Sequence, residues 1–357
     1  MKALVFNGPK NIRYESFDDP IVSNENSVVI GVERCSICGS DLHMYHGGVI
    51  AKTNYATPME RFCVGHETIG EVMEAGSGVK NHKVGDRVLV SGGTGCGKCR
   101  NCLAGHINLC EGYGPAGRGG TAYGISPKLH GGQAEFLEVV NADTGATKIP
   151  DGISDEQAVL LTDALATGYY GVTMSRVAKG DTVAVIGQGP VGVMAAEASV
   201  AVGAARVYTI DPQEERRSLS LTFGGIPLHP DGARQQIAED TGGLGVDAVI
   251  EAVGAGPTLK QAVSIVRMGG RLSILGILQK DSAFPLHIAQ AKSLEVHMGI
   301  AGVADSWPEL LPLVQSGQIK GEGMFTHHFD LSQGEEAYRV FDAREDGVMK
   351  VLMTPGR

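Results

Sequence analysis

No apolar run in the chain approaches the roughly 20 residues that a membrane-spanning helix needs, which excludes a helical membrane protein. Clusters of basic residues are missing as well. With 30 Lys and Arg against 40 Asp and Glu, the net charge is −10, which argues against nucleic acid and anionic membrane as partners. Aromatic residues make up only 5% of the chain and leave few rings to line a ligand cleft. Tyr45, Tyr55 and Tyr113, with His46, are the candidates. The first six residues lack the long apolar core of a signal peptide and read as a strand. Seven cysteines, an odd number with metal-like spacing, suit reduced thiols of the cytoplasm better than a disulfide framework.

What is present divides in two. A chain of 357 residues exceeds one ordinary core, so two domains are expected. Up to about residue 150, short apolar runs (2–6, 27–33, 67–75, 86–90, 134–140) alternate with Gly, Pro and Asn, and helical periodicity is nearly absent. That pattern predicts a β-rich domain with long functional loops, of which the Gly-rich insert 112–132 borders the substrate entrance. Residues 153–170 read as one helical segment joining the halves. Beyond it, strands at 182–186, 206–210, 246–251, 271–275 and 294–299 alternate with helices at 213–223 and 257–266. The alternation predicts a doubly wound parallel sheet. Helices over 305–316 and 332–343 and a closing strand at 350–354 return to the first domain. The domains are thus 1–163, completed by 303–357, and 164–302.

Two stretches of the first half carry metal chemistry. Cys38-Gly39-Ser40-Asp41-Leu42-His43 and Gly65-His66-Glu67 bring together a thiol, imidazoles, carboxylates and a hydroxyl. Zinc accepts Cys sulfur, His nitrogen and carboxylate oxygen, and a catalytic zinc keeps one position open. Cys38 and His66 are the first two ligands, and Asp41 can accept the spare N–H of the ligating histidine. Cys35 and Cys63 lie in apolar runs and read as core, although Cys63-x2-His66 also has ligand spacing. Further on, Cys96, Cys99, Cys102 and Cys110 follow a C-x2-C-x2-C-x7-C pattern. Four thiolates at that spacing can close the sphere of a structural zinc. An iron–sulfur cluster and a disulfide pair are the competing readings.

The second half carries a dinucleotide fingerprint. Gly187-Gln188-Gly189-Pro190-Val191-Gly192 follows a strand, opens an alanine-rich helix and is followed 19 residues later by Asp211 at a strand end. The pyrophosphate of the dinucleotide then rests on the helix N-terminus. Asp211 can accept hydrogen bonds from the adenosine ribose, which favours NAD over NADP. Arg216 and Arg217 are the counterweight, able to neutralise a 2′-phosphate, to pair with Glu214 or Glu215, or to stack on adenine.

Taken together, these motifs resemble the zinc-dependent medium-chain alcohol dehydrogenases over essentially the whole chain. The resemblance implies a GroES-like catalytic domain beside a Rossmann domain, with one catalytic and one structural zinc. It implies reversible oxidation of an alcohol with hydride transfer to NAD. By position, Cys38 and His66 match the first two catalytic zinc ligands, and Ser40 and His43 the proton relay, linked through the cofactor ribose. Glu67 matches an acid that approaches the zinc as an alternative or additional ligand. The third ligand differs between branches. Leu161-Thr162-Asp163, before Ala-Leu-Ala-Thr167-Gly168, is similar to the secondary alcohol branch, in which it is an aspartate, here Asp163. Thr167 joins the glycine-rich loop among the cofactor contacts. That branch often lacks the four-cysteine lobe and prefers NADP, and this chain departs from it on both counts. The implied substrate is a secondary alcohol, diol or polyol, with a primary or aromatic alcohol as the alternative, bound between the domains by a homodimer or homotetramer. A zinc-free quinone or enone reductase would not need the Cys38, His66 and Asp163 set. An inactive nucleotide-binding protein would have lost part of it.

Overall fold

Nine residues, Val28–Ser36 (β3), form the strand around which the first part of the chain is built. Only Glu33 and Arg34 of this strand escape full burial, because it has partners along both edges. Glu67–Ala75 (β5) and Phe136–Val139 (β7) pair with it antiparallel, and so does the C-terminal strand Lys350–Thr354 (β16). Arg87–Val90 (β6), Ala146–Lys148 (β8) and Phe325–Asp330 (β15) extend a seven-stranded sheet in the order β15-β16-β3-β5-β6-β8, with β7 beside β3. Lys2–Phe6 (β1), Ile12–Ser16 (β2) and Phe62–Cys63 (β4) make a separate three-stranded sheet. Apolar side chains from these strands and from helix Gly334–Ala343, among them Leu4, Ile30, Val72, Tyr338 and Val351, form one core.

The computed structural model describes residues 1–47, 61–112, 122–125, 129–278 and 282–356. It divides into two units: Met1–Ala166 with Gly302–Gln315 and Met324–Arg357, and Thr167–Ala301 with Ser316–Gly323. The short return of 316–323 into the second unit has a local cause. The carboxylate of Glu197 accepts the backbone N–H groups of Lys320 (2.8 Å) and Gly321 (3.2 Å).

The second unit holds a parallel six-stranded sheet: Thr182–Ile186 (β9), Arg206–Ile210 (β10), Ile226–Leu228 (β11), Val246–Glu251 (β12), Val266–Ile274 (β13) and Glu295–Met298 (β14). Their order, β11-β10-β9-β12-β13-β14, is doubly wound, and it reverses direction at β9, ahead of the glycine-rich turn. The sixth strand is the three-residue β11, too short and too interrupted by Pro227 to show a period in sequence. Proline is tolerated there because β11 lies at the sheet edge.

Departures from the sequence expectation include three local features. Residues 39–45 fold as a helix (Gly39–Tyr45, α1), whose first-turn Asp41 side chain accepts the N–H of Cys38 (2.9 Å). Phe325–Asp330 is a strand, paired parallel to β16. The joining segment is two helices, Asp155–Leu161 (α2) and Ala164–Met174 (α3), rather than one. The break falls at Thr162, whose hydroxyl donates to Val159 O (2.6 Å) and competes with continuation of the helix. No helix among the described residues is long and apolar enough to cross a membrane.

Candidate active site

Strand pairing in the first unit brings the motif residues together. Ser36, the last residue of β3, pairs with Glu67, the first of β5. The chain therefore leaves one strand at Cys38 beside the point where it enters the next at His66. Asp163 joins them from the break between α2 and α3. Cys38 Sγ lies 3.1 Å from Asp163 Oδ2, and that carboxylate is 3.4 Å from His66 Nε2. All three ligand atoms fall within 4.8 Å of one another.

Sulfur, imidazole nitrogen and carboxylate oxygen at this spacing fit a tetrahedral zinc with one position left over. Their electrostatics agree. Burial pushes the Cys38 thiol up to about 11, with the charge of Asp163 the next contributor. Burial also opposes charge on His66, but Asp41 and Asp163 outweigh it and raise its pKa well above the usual value. Zinc binding at such a set requires the thiol and imidazole to give up their protons. His66 Nδ1 stands 3.2 Å from Asp41 Oδ1, an ion-pair contact off the straight hydrogen-bond line.

Ser40 and His43 lie on α1, three residues apart and so on one face of the helix. Ser40 Oγ is 3.7 Å from Cys38 Sγ. His43 is exposed, and partial desolvation, then the neighbouring His46, lower its pKa. Glu67 does not join the converging group. Its side chain is wholly buried and one oxygen forms an ion pair with Lys350, itself 1% exposed. Burial works against the charge of Lys350, but Glu67, then Cys38 and Asp163, raise its pKa and keep it protonated. The signal for this pair was a lone lysine opening the apolar run Lys350-Val-Leu-Met. Cys63 lies among Ala3, Val5 and Ala134 instead of at the metal group, its thiol pushed up to about 12 by burial. Cys35 is likewise core. Tyr45 packs on Tyr338, and His46 pairs with Asp342 at 2.6 Å. Tyr55, Tyr113 and most of the 112–132 insert lie outside the described residues.

Cys96, Cys99, Cys102 and Cys110 also place their sulfurs within 4.8 Å of one another. All seven cysteines are free thiols. Backbone N–H groups of the lobe point at its own sulfurs, from Cys96 to Cys110 and from Cys99 to Cys96 at 3.3 Å each. Such donors stabilise thiolate charge, and those of Cys102 and Glu111 draw Cys99 down to about 6.

In the second unit, Gly187 (φ +89°) turns the chain out of β9, and Gly189 is the N-cap of helix Pro190–Ala201 (α4). Pro190 occupies the first turn, where its missing N–H costs nothing, and Val191 follows it. A Cβ on Gly192 would lie 1.7 Å from Gly187 O, so only glycine permits this approach of helix to turn. The carboxylate of Asp211, 7% exposed, accepts the N–H of Gln188 from one oxygen and of Gln213 from the other, both at 2.8 Å. It thereby shapes the loop and keeps lone pairs for a further donor. Arg216 reaches over the same loop, its Nη1 3.9 Å from where a Cβ on Gly189 would stand. Thr167 lies on α3, half-buried.

Comparison with known proteins follows the same division. The family model of the alcohol dehydrogenase GroES-like domain matches residues 24–151, and that of the zinc-binding dehydrogenase matches 190–316. A probable zinc-binding alcohol dehydrogenase of Mycobacterium tuberculosis is 36% identical over 356 residues, spanning 99% of this chain and 89% of that protein. The chain belongs to the zinc-type alcohol dehydrogenases. Another similar member is the (R,R)-butanediol dehydrogenase of Bacillus subtilis, 34% identical over 99% of this chain and the whole of that one. The alcohol dehydrogenase TADH of Thermus sp. ATN1 has a similar structure, with a TM-score of 0.90 at 34% identity and full coverage of both chains. As a zinc-type alcohol dehydrogenase the chain is an oxidoreductase of the zinc- and NAD(P)-using kind, and its two clusters suit a catalytic and a structural zinc.

Proposed function

We propose that this enzyme reversibly oxidises a secondary alcohol, diol or polyol to the carbonyl with NAD as hydride acceptor. Cys38, His66 and Asp163 are the residues that hold the catalytic zinc, and their convergence from three separate elements carries the reading. Zinc at such a site supplies Lewis acidity that lowers the pKa of an alcohol hydroxyl. Ser40, beside Cys38, accepts the hydroxyl proton, and exposed His43 passes it to solvent. Cys96, Cys99, Cys102 and Cys110 hold the structural zinc. The butanediol dehydrogenase among the relatives supports the diol class. An alcohol panel assayed with both cofactors on protein of known zinc content tests this. Failure of the two-zinc enzyme to turn over any secondary alcohol or diol would overturn it.

Cofactor choice rests on Asp211, with Gly187, Gly189, Pro190, Val191, Gly192, Thr167 and Arg216 as the further contacts. A 2′-phosphate would set one to two more negative charges against this buried carboxylate. NAD is favoured by roughly a hundredfold in kcat/KM, about 2.7 kcal/mol. Asp211→Ser should erode that ratio by about tenfold or more. Equal use of NADP by the unmodified enzyme would transfer the selecting role to Arg216.

The enzyme works in the cytoplasm as a homodimer or homotetramer. Edge strand β14 pairs only with β13 among the described residues, while Met298 (59%) and Ile300 (67%) stand exposed on it and just beyond. An open strand edge with apolar neighbours suits a second copy. Sedimentation showing a monomer at micromolar concentration would refute the assembly.

A further inference from the structure

Behind His66 runs a buried hydrogen-bonded chain whose members beyond Asp41 belong to none of the sequence motifs. Asp41 faces His66 through Oδ1 at 3.2 Å. Its Oδ2 accepts the Cys38 N–H and, at 3.3 Å, the side-chain amide of Gln133. That amide also donates to Ser36 O at 3.0 Å, and Gln133 Oε1 accepts the hydroxyl of Tyr338 at 2.9 Å. Gln133 is 0% exposed, Tyr338 1% and Asp41 2%, so water cannot substitute for any of these partners.

The partners fix every direction in the chain. Ser36 O and the Asp41 carboxylate are acceptors only, so both must face the NH2 of Gln133. Reversing the amide would set its oxygen against two oxygens and leave Tyr338 facing a donor. Gln133 is equally constrained in its backbone: its N–H donates to Val64 O (2.9 Å) and its carbonyl accepts from Leu4 N–H (2.8 Å). Its side-chain stem fills the space over Gly65 (φ +94°), where a Cβ would come within 2.3 Å of Gln133 Cγ. One residue thus supports both Asp41 and the peptide leading into His66.

We propose that Gln133 and Tyr338 are positioning residues of the zinc site, holding Asp41 so that it orients the His66 ring and presents Nε2 to the metal. This rests on the assignment of Cys38, His66 and Asp163 as ligands. Contacts one step behind a ligand are typically worth about 10–100-fold in metal affinity. Gln133→Met keeps the bulk over Gly65 and removes the amide. Tyr338→Phe keeps the ring and removes only the hydroxyl.

The test is competition with a chromophoric chelator, which resolves the release of each zinc from the intact enzyme. Gln133→Met should weaken the three-ligand site by about tenfold or more and Tyr338→Phe by a few-fold, both leaving the four-cysteine zinc unchanged. Because Tyr338 acts through Gln133, its substitution should have no further effect on zinc release in the Gln133→Met background. Additive losses in the double variant, or equal weakening of both zinc sites, would mean general destabilisation and overturn the proposal. If the unmodified enzyme holds two zinc ions and Gln133→Met releases neither faster, positioning is refuted while the ligand set stands. If the unmodified enzyme holds zinc only at the four cysteines, the ligand set falls and the proposal with it.

Discussion

The four-cysteine lobe and the Cys38–His66–Asp163 group gather metal-binding donors by opposite routes. The lobe takes all four sulfurs from residues 96–110, and backbone N–H groups of the same stretch point at them. Cys38 and Asp163, in contrast, meet across 125 residues of chain, and His66 arrives from a third element. A closed local site is a folding staple. An assembled site with three donors leaves one position open, and it forms only after β3, β5 and the α2–α3 break are in place. On the proposed assignment, position in the chain separates a structural role from a catalytic one.

Substitution at Cys38 makes the sharpest break in that contrast. Cys38→Ser should cut kcat/KM by about a thousandfold or more, the several kcal/mol of Lewis acidity at stake. Metal analysis should then find one zinc per chain, at the four cysteines. Retention of two zinc ions with high activity would remove Cys38 from the site.

Cys99→Ser inverts the pattern. It opens the closed site, and the expected result is loss of the other zinc with a fall in Tm of roughly 5 °C or more. Unchanged thermal stability would show that the lobe is no staple.

Asp163→Ala tests whether the distant carboxylate is a ligand. It should weaken the assembled site by more than the roughly 100-fold that outer contacts reach, while the lobe keeps its zinc. Full retention would transfer the third position to Glu67, once released from Lys350.

The relay gives the smaller effects. Ser40→Ala should lower kcat by about a hundredfold, within the range of proton-transfer catalysis, with both zinc ions retained. His43 must be neutral to accept a proton, and its pKa lies below the usual 6.5. The rate should therefore fall as pH drops through that lowered pKa, and His43→Ala should lack this acid limb. An unchanged limb in the variant would assign it to another group.

Much of this was legible in the chain itself. The lobe can be read directly because its ligands are sequence neighbours, and the strand–GxGxxG–helix–strand–Asp pattern because each step of it is local. Cys38 and His66 stand out through their motif, Asp163 only through a family resemblance. The helix at 39–45 stayed hidden, since its first-turn bond to Asp41 fixes the helix N-terminus and its apolar face packs on distant residues. Gln133 and Tyr338 carried no signal tied to the metal site, because each acts through a partner 92 or 205 residues away.

Sequence alone therefore determined the spacing of the four cysteines, the glycines that let α4 approach its turn, and the acid at the end of β10. Those are short-range matters of sterics and donor count. Which carboxylate meets the metal group, and which is held by a buried lysine, depended on tertiary structure. Asp163 and Glu67 are both acids; the pairing of β3 with β5 and β16 sets Glu67 against Lys350, and the break between α2 and α3 sets Asp163 against Cys38. Burial then makes the distinction matter, because a charge removed from water must find its partner within the protein.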